Sequence, residues 1–435
     1  MITKSTYISL STVLLAALGL LFCLTVARAQ ERELRGVWLT TLQGLDWPNP
    51  GLRGKAEAQK KALAVILDDI AAMNLNTVYF QVRTRGNAFY RSSYEPWAAE
   101  LGGRLGKDPG WDPLEYAIEQ CHDRGLEIHA WVNVCKVWSH SKPGNSVPEH
   151  LVNAHPEWVA RYDDDYWLDA GVPEARAYTV SVMEELIRDY DLDGIHLDYA
   201  RYPEAKFDDK ETYRRYGNGQ ALQDWRRSNI NSIVRGVYDA AQRLKPGMHV
   251  GSAPIGIYTN IPGARGWEAY KVLAQDARTW LRDGYGDYAV PQLYWGMKKF
   301  GSRIDFEALV RDWCAHSAGR HIYVGTAPYK PEVGNNVTDY VKASRANGAQ
   351  GIVFFRYEHI AGSKALRSIF KTKVLAPPLA WRDEVPPLPP IECIQQPAVE
   401  GHIVTWDDPG PAEDGDRPRF YAVYRGNGTG ERTLV

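Results

Sequence analysis

Short apolar runs alternate with longer amphipathic segments between Leu34 and about Thr372, and this order is typical of a parallel sheet with helical crossovers. The runs that predict strands are Arg35 to Thr41, Thr77 to Arg83, Glu127 to Asn133, Gly194 to Asp198, His249 to Ala253, Tyr288 to Tyr294, His321 to Ala327 and Gly351 to Tyr357. The clearest helical patterns are Ala56 to Met73, Asp112 to Gly125 and Gln220 to Leu244. Eight such units predict an α/β fold, a (β/α)8 TIM barrel rather than an open doubly wound sheet.

The two ends of the chain differ from this central part in amino-acid composition and pattern. An apolar run followed by Ala27-Arg28-Ala29 predicts a cleaved signal peptide over residues 1–29. The barrel is expected over residues 30–372, and a Pro-rich linker over 373–391. Residues 392–435 resemble the first half of a fibronectin type III sandwich, which predicts a partial β-sandwich segment.

Composition narrows the ligand classes. The chain has 51 Lys and Arg against 53 Asp and Glu, and a formal net charge of −2 argues against a nucleic-acid partner. Its 15 Trp and 25 Tyr suit stacking on sugar faces, although large barrels also bury many rings. The sequence has no Gly-rich phosphate loop after a strand and no HxH or HExxH pair. We therefore expect no cofactor and no catalytic metal.

Strand side chains alternate between the two faces of a sheet, and this period predicts which residues face the barrel interior. The inward polar or aromatic positions are Tyr79, Gln81, Arg83, His129, Trp131, Asn133, His196, Asp198, Gln292, Tyr294, Arg356 and Glu358. Several of them close their strands, at the end where barrel enzymes carry out their chemistry. The pattern predicts a polar site at that mouth.

Glycoside hydrolysis needs two carboxyl groups across the scissile bond. Asp198 is the first candidate, and Arg83 and His196 beside it could keep it ionised as a nucleophile or base. Glu358 is the best placed second candidate by pattern, and Asp46 comes next. The loop acids Glu204, Asp208 and Asp209 are further alternatives.

Side chains suited to binding sugar hydroxyl, carboxylate or N-acetyl groups, or to stacking on sugar rings, surround the same mouth. The predicted substrate-binding residues are Arg83, Trp131, Asn133, His196, Arg201, Tyr202, Gln292, Tyr294 and Trp295.

A series of motifs resembles the glycosyl hydrolase-like 10 family in order from Leu34 to about Phe370. They are Arg35-Gly36-Val37-Trp38, Leu45-Asp46-Trp47-Pro48, Phe80-Gln81-Val82-Arg83, Glu95-Pro96-Trp97, His129-Ala130-Trp131-Val132-Asn133, His155-Pro156-Glu157-Trp158, Asp193-Gly194-Ile195-His196-Leu197-Asp198 and Pro291-Gln292-Leu293-Tyr294-Trp295. The resemblance implies a TIM-barrel glycosidase of bacterial envelopes that acts on peptidoglycan strands, particularly strands stripped of stem peptides. In the family's fourth-strand motif a second Asp often follows the position of Asp198, and this chain has Tyr199 there.

The sequence therefore predicts an exported glycoside hydrolase of the cell envelope, secreted or periplasmic, with a polysaccharide or oligosaccharide substrate. We expect no membrane span after cleavage of the signal peptide. A non-catalytic glycan-binding barrel and a hydrolase of storage or plant glycans are the alternatives.

Overall fold

The computed structural model describes residues 32–382, 393–397, 402–406, 423–426 and 432–434. The barrel strands are β1 (Leu34–Leu39), β2 (Thr77–Arg83), β3 (Glu127–Asn133), β4 (Gly194–Asp198), β5 (His249–Ser252), β6 (Tyr288–Ala289), β7 (His321–Thr326) and β8 (Gly351–Phe355). They form a closed parallel barrel in the order β1-β8-β7-β6-β5-β4-β3-β2, which confirms the prediction of a (β/α)8 TIM barrel.

Helices surround the barrel. The α-helices of the described residues are Ala56–Ala72, Ala99–Gly102, Pro113–His122, Leu151–Ala154, Pro173–Asp189, Lys210–Tyr216, Leu222–Leu244, Ala277–Arg282, Phe306–Ala315, Pro331–Gly334, Val337–Ala346 and Lys364–Ile369. Short 3-10 helices occur at Leu42–Gly44, Pro50–Leu52, Pro156–Trp158, Lys298–Phe300 and Tyr357–His359. In Pro113–His122 the Asp112 side chain accepts hydrogen bonds from the first turn, as its position at the N-cap predicts.

Strand β6 is shorter than the predicted run from Tyr288 to Tyr294. Pro291 has no N–H to donate to a neighbouring strand, so a regular ladder ends early. Gln292 nevertheless makes single parallel bridges to Ile255 on one side and Gly325 on the other. The segment thus keeps its place in the barrel and carries Gln292 to the mouth.

Aromatic rings fill much of the barrel interior, where Trp38, Tyr79, Tyr288 and Tyr323 pack together. Neighbouring strands leave room for these rings by carrying glycine. A Cβ at Gly251 would lie 2.1 Å from the ring of Tyr288. A larger apolar cluster lies between the strands and the helices, and it contains the outward residues of each strand.

The predicted side-chain alternation is wrong at two strand ends. A register shift between Gln81 and Arg83 breaks the period of β2, so Arg83 does not continue the inward row. In β8, Val353 packs inside the barrel and Phe355 lines its mouth, which places Arg356 and Glu358 out of the inward register. Glu358 lies in the 3-10 helix Tyr357–His359, which follows the strand.

The segment after β3 forms a small antiparallel sheet beside the mouth. Its strands Lys136–Ser139, Asp165–Leu168 and Val159–Tyr162 lie in that order. Trp167 of the central strand packs against Tyr199, which follows β4. The insertion therefore forms one wall beside the end of β4.

Contacts with the barrel continue past the predicted boundary at residue 372. Leu375 accepts a backbone hydrogen bond from Glu33, and Trp381 and Arg382 both donate to Asp287 before β6. Further along the chain, Cys393–Pro397 pairs antiparallel with His402–Trp406, and Tyr424–Gly426 with Arg432–Leu434. Since most other residues of 383–435 lie outside the described ones, the fibronectin type III segment stays a prediction. Every helix in the described part of the chain is too short or too polar to span a bilayer.

Candidate active site

A cavity of about 240 Å³ opens at the carboxyl ends of the barrel strands. Its wall combines aromatic rings, amides and a single carboxylate among the described residues that line it. The lining residues are Trp38, Thr40, Leu42, Leu45, Gln81, Trp131, Asn133, Asp198, Tyr199, Arg201, Gln292, Tyr294 and Phe355. Of the predicted site residues, the structure brings Asp198, Trp131, Asn133, Arg201, Gln292 and Tyr294 together here.

Asp198 closes β4 and is 8% exposed. Its Oδ1 accepts hydrogen bonds from the backbone N–H of Tyr199 at 2.7 Å and from Nε2 of Gln292 at 3.3 Å. Burial raises the pKa of Asp198 to about 6, although these donors and the charge of Arg201 oppose the rise. The carboxyl group therefore exchanges its proton close to neutral pH, which suits an acid or base catalyst.

His196 lies one inward position below Asp198 and is fully buried. Its Nε2 accepts from the indole of Trp38 at 3.0 Å, and its Nδ1 lies 3.2 Å from the hydroxyl of Tyr288. Burial lowers the pKa of His196 well below the ordinary value, so the ring is neutral at pH 7. His196 lies outside the cavity lining and supports Trp38, and its predicted contact with substrate stays a prediction.

Gln81 and Asn133 fix the backbone around the mouth. Oε1 of Gln81 accepts from the hydroxyl of Thr40 at 2.6 Å and from the backbone N–H groups of Thr41 and Leu42. Nδ2 of Asn133 donates to the Thr84 carbonyl, whereas its Oδ1 has no hydrogen-bond partner in the described residues. This oxygen is therefore a buried acceptor without a partner in a residue of the cavity wall.

Arg201 is held among aromatic rings at the edge of the cavity. Its guanidinium carbon lies 5.3 Å from the ring centre of Trp167, 4.9 Å from that of Tyr199 and 5.0 Å from that of Trp267. Its Nη1 donates to the carbonyl of Tyr202. Arg201 forms no salt bridge within the described ranges, so a cation faces the cavity beside Asp198.

Arg83 does not reach the cavity. Its guanidinium pairs with Glu95 at 2.6 Å, with both side chains fully buried, and it donates to the backbone carbonyls of Asn133 and Val134. These contacts hold the end of β3 in place. The sequence predicts that Arg83 helps to keep Asp198 ionised. Because the guanidinium pairs with Glu95 instead, Arg83 is not placed to do so.

The two candidates for a second carboxylate lie outside the cavity lining. The side chain of Asp46 is buried and accepts hydrogen bonds from the backbone N–H groups of Thr40 and Glu358 and from Nη1 of Arg356. The side chain of Glu358 is 59% exposed and pairs with Nη2 of Arg356 at 2.5 Å. Asp46 thus links the loop after β1 to the turn after β8, and a catalytic role for either acid stays a prediction.

Two aromatic residues that the sequence predicts to bind substrate also lie outside the cavity lining. Tyr202 is 2% exposed and packs against Phe207 and Arg226 in the outer core. Trp295 packs outside the interior, where a Cβ on Gly256 would lie 2.8 Å from its ring. Neither ring lines the cavity.

Sequence reasoning missed several residues of the wall, which are Trp38, Thr40, Leu42, Leu45, Tyr199 and Phe355. Trp38 shares a face of β1 with Gly36, so the two-residue period applied to β1 could have found it. The loop residues Leu42 and Leu45 gave no such signal, because the turn that carries them depends on the distant side chain of Gln81.

The model of the family described as Glycosyl hydrolase-like 10 matches residues 33–342. The chain belongs to the glycosyl hydrolase-like 10 family. The family prediction is thereby confirmed, and the matched region contains the cavity wall from Trp38 to Tyr294 but not Phe355.

Two relatives of this chain are named as glycosyl hydrolases. Glycosyl hydrolase YngK of Bacillus subtilis (strain 168) is 32% identical over 446 residues, which cover 94% of this chain and 86% of the relative. Glycosyl hydrolase DigH of Escherichia coli (strain K12) is 33% identical over 329 residues, which cover 69% of this chain and 74% of the relative. The prediction of a glycoside hydrolase is confirmed at the level of this homology.

Solved structures agree on the fold. The PgaB (BpsB) glycoside hydrolase domain from Bordetella bronchiseptica has a TM-score of 0.56 and 14% identity, and the match covers 80% of this chain and 100% of that domain. Alpha-L-fucosidase isoenzyme 2 from Paenibacillus thiaminolyticus has a TM-score of 0.51 and 18% identity, and the match covers 78% of this chain and 49% of the fucosidase. At these identities the likeness concerns the barrel alone.

Proposed function

We propose that this protein is a hydrolase of the glycan strands of bacterial peptidoglycan, with a preference for strands stripped of stem peptides, and that Asp198 is its general acid. The observation that carries the proposal is the buried carboxyl group of Asp198, whose pKa is raised to about 6 at the mouth of a glycosyl hydrolase-like barrel. A group with this pKa is protonated in part at neutral pH and can donate to a leaving oxygen.

We assign the role of the second catalytic group to a functional group of the substrate itself. Asp198 is the sole carboxylate among the described residues that line the cavity, whereas most glycosidases use two. Some amino-sugar hydrolases of other families use no second carboxylate as the nucleophile. In these enzymes the 2-acetamido group of the substrate attacks the anomeric carbon, which is called substrate assistance. A substrate built from N-acetylated amino sugars supplies that group.

The reaction then has two steps. Asp198 protonates the glycosidic oxygen, the bond from the anomeric carbon to that oxygen breaks, and the acetamido oxygen forms a bond to the same carbon. Water then attacks the anomeric carbon, and the bond between this carbon and the acetamido oxygen breaks. A proton of the water passes to Asp198, and the product retains its configuration. Oδ1 of Asn133, which has no partner in the described residues, would accept the acetamido N–H during the first step.

Arg201 supports the choice of a peptide-stripped strand. Removal of a stem peptide leaves a free carboxylate on the lactyl group of every muramic acid residue. Arg201 presents a cation at the cavity edge, and it forms no salt bridge within the described ranges although the charges of Asp198 and Glu204 act on it. A guanidinium that is already ordered by three rings binds a carboxylate with little further loss of side-chain entropy.

The deciding experiment compares Asp198→Asn with Asp208→Asn, an exposed acid in the loop after β4. Reducing-end release is measured on denuded peptidoglycan, intact peptidoglycan, chitin oligomers and storage glucan. We expect Asp198→Asn to lose about 1000-fold or more of the activity on denuded strands, and Asp208→Asn to retain it. Release by Asp198→Asn equal to that of the parent would overturn the proposal, as would saturable glycan binding by the parent without any cleavage.

The role of Arg201 is tested separately with Arg201→Gln. We expect KM on denuded strands to rise about tenfold, with chitin oligomers hydrolysed as before, because only the former bear a carboxylate. An equal loss on both substrates would show that Arg201 stabilises the protein's own structure.

A thiazoline analogue of the intermediate should inhibit the parent if the acetamido group is the nucleophile.

We further propose that the protein is exported to the cell envelope. The support is the apolar run and Ala27-Arg28-Ala29 at the start of the chain, which precede the barrel that holds the cavity. N-terminal sequencing of the protein from a membrane-free envelope fraction should give a start near Gln30. A start at Met1 in the cytoplasmic fraction would contradict export.

A further inference from the structure

The side chains of Glu127, His129 and His249 converge at the amino ends of the strands, at the opposite end of the barrel from the cavity. One ligand atom from each residue lies within 4.8 Å of the other two. Nε2 of His129 is 3.6 Å from Oε2 of Glu127, and the His129 and His249 rings meet edge to face at 5.6 Å. This group lies outside the site to which the glycosidase chemistry is assigned.

Three neighbouring strands build the cluster. Glu127 and His129 are two residues apart on β3 and so share a face, and His249 begins β5. Between them, Gly194 of β4 is in register with both His129 and His249. A Cβ at Gly194 would lie 2.5 Å from Nδ1 of His129, so the glycine is what allows the two imidazoles to meet across the middle strand.

The donor set is that of a zinc site. Two imidazole nitrogens and one carboxylate oxygen suit Zn²⁺, and ligand atoms around a tetrahedral zinc ion are about 3.4 Å apart. The separation of 3.6 Å between His129 and Glu127 is close to that value. Nδ1 of His129 lies 2.8 Å from the hydroxyl of Tyr288, which would accept its hydrogen and direct Nε2 to a metal.

The surroundings permit an ion to enter. The side chain of Glu127 is 23% exposed, so water reaches the cluster from the end of the barrel. Nδ1 of His249 is buried and has no hydrogen-bond partner in the described residues. The charge of Arg382 acts on His249. Nη2 of Arg382 donates to Asp287 at 2.5 Å and to the Met248 carbonyl at 2.9 Å, whereas its Nε and Nη1 have no hydrogen-bond partner in the described residues.

We propose that Glu127, His129 and His249 bind one Zn²⁺ ion, with water in the fourth position, and that this ion is structural. The amino ends of barrel strands serve stability rather than catalysis. An ion held from β3 and β5 would tie together two strands that do not pair with each other and would restrain β4 between them. The proposal is independent of the glycan substrate.

Zinc binding is measured by equilibrium dialysis and by thermal unfolding of the purified protein, produced without a histidine tag and treated with chelator. We expect one Zn²⁺ per chain, and at a 100-fold excess of Zn²⁺ over Kd a rise in Tm of about 4 °C. The variants Glu127→Gln and His249→Gln should each bind at least about tenfold more weakly. His316→Gln, which alters a half-exposed histidine elsewhere, is the matched control and should bind as the parent does.

Cobalt spectroscopy keeps the proposal testable if a variant fails to fold. Co²⁺ added to the parent should give intense visible bands of a four-coordinate site, which Zn²⁺ displaces in a 1:1 ratio. Weak bands of a six-coordinate ion, the absence of saturable binding by the parent, or equal binding by the parent and both ligand variants would overturn the proposal.

Discussion

Nε2 of Gln292 donates a hydrogen bond to Oδ1 of Asp198 over 3.3 Å, and the same nitrogen donates to the Ala253 carbonyl over 3.2 Å. Gln292 is thus held by the end of β5 while it contacts the carboxyl group at the end of β4. A donor of this kind favours the ionised carboxylate and opposes the effect of burial. The position of one amide therefore helps to set the pH range in which Asp198 holds its proton.

Replacement of Gln292 by Met removes this donor while keeping a side chain of similar length. We expect the pKa of Asp198 to rise further, and the alkaline limb of the kcat/KM profile to move up by about one pH unit or less. The measurement is the pH dependence of glycan release for both proteins. A profile that keeps its midpoint while its height falls would assign Gln292 to substrate binding alone.

Asp198→Asn should stabilise the protein at neutral pH. The pKa of Asp198 is raised to about 6, above its value in an unfolded chain, so the folded state binds more protons between about pH 4 and 6. Stability from this group is therefore present at low pH and is lost as the pH rises through that window. An asparagine has no such loss, so the variant should exceed the parent by about 2 kcal/mol at pH 7.5 and by little at pH 4.

Urea unfolding of both proteins at the two pH values measures this difference. Titrations of all other groups cancel in the comparison, and Asp208→Asn serves as the control. A variant less stable than the parent at pH 7.5 would mean that the ionised carboxylate is favoured by the fold.

Arg83→Met tests the structural role of the buried ion pair. The variant leaves Glu95 buried without its cation and frees the carbonyls of Asn133 and Val134, so we expect a loss of about 3 to 5 kcal/mol in unfolding free energy. The double variant Arg83→Met, Glu95→Leu should recover part of this loss, because no charge is then left unpaired. A rise in KM without a loss of stability would instead support the predicted contact with substrate.

Glu358→Gln and Asp46→Asn distinguish the two candidates for a second carboxylate. Glu358 is largely exposed, and Arg356 is its one salt-bridge partner among the described residues, so its variant should keep at least about half of the parent kcat. Asp46→Asn should cost about 1 to 3 kcal/mol of stability, since Arg356 loses a buried partner. Loss of kcat by about 100-fold or more in a folded Glu358→Gln would return Glu358 to a catalytic role.

Much of the site could be predicted because it depends on strand periodicity. Trp131 and Asn133 on β3, and Asp198 on β4, line the cavity as the two-residue alternation requires. The predicted inward placement is wrong for Arg83 and Glu358, where a register shift and the end of a strand interrupt the alternation. Such interruptions depend on contacts with other segments, and the local pattern does not contain them.

The sequence by itself determined the order of the barrel strands, the family and the carboxylate at the end of β4, since all of these follow from local patterns and motifs. Only the tertiary structure decided which charges have partners. Arg83 pairs with Glu95 and Asp46 pairs with Arg356, whereas Asp198 is buried without a salt bridge to any described residue, and its pKa is raised to about 6. The physical reason is that burial and pairing, which set the charge state of a side chain, arise when segments far apart in sequence pack together.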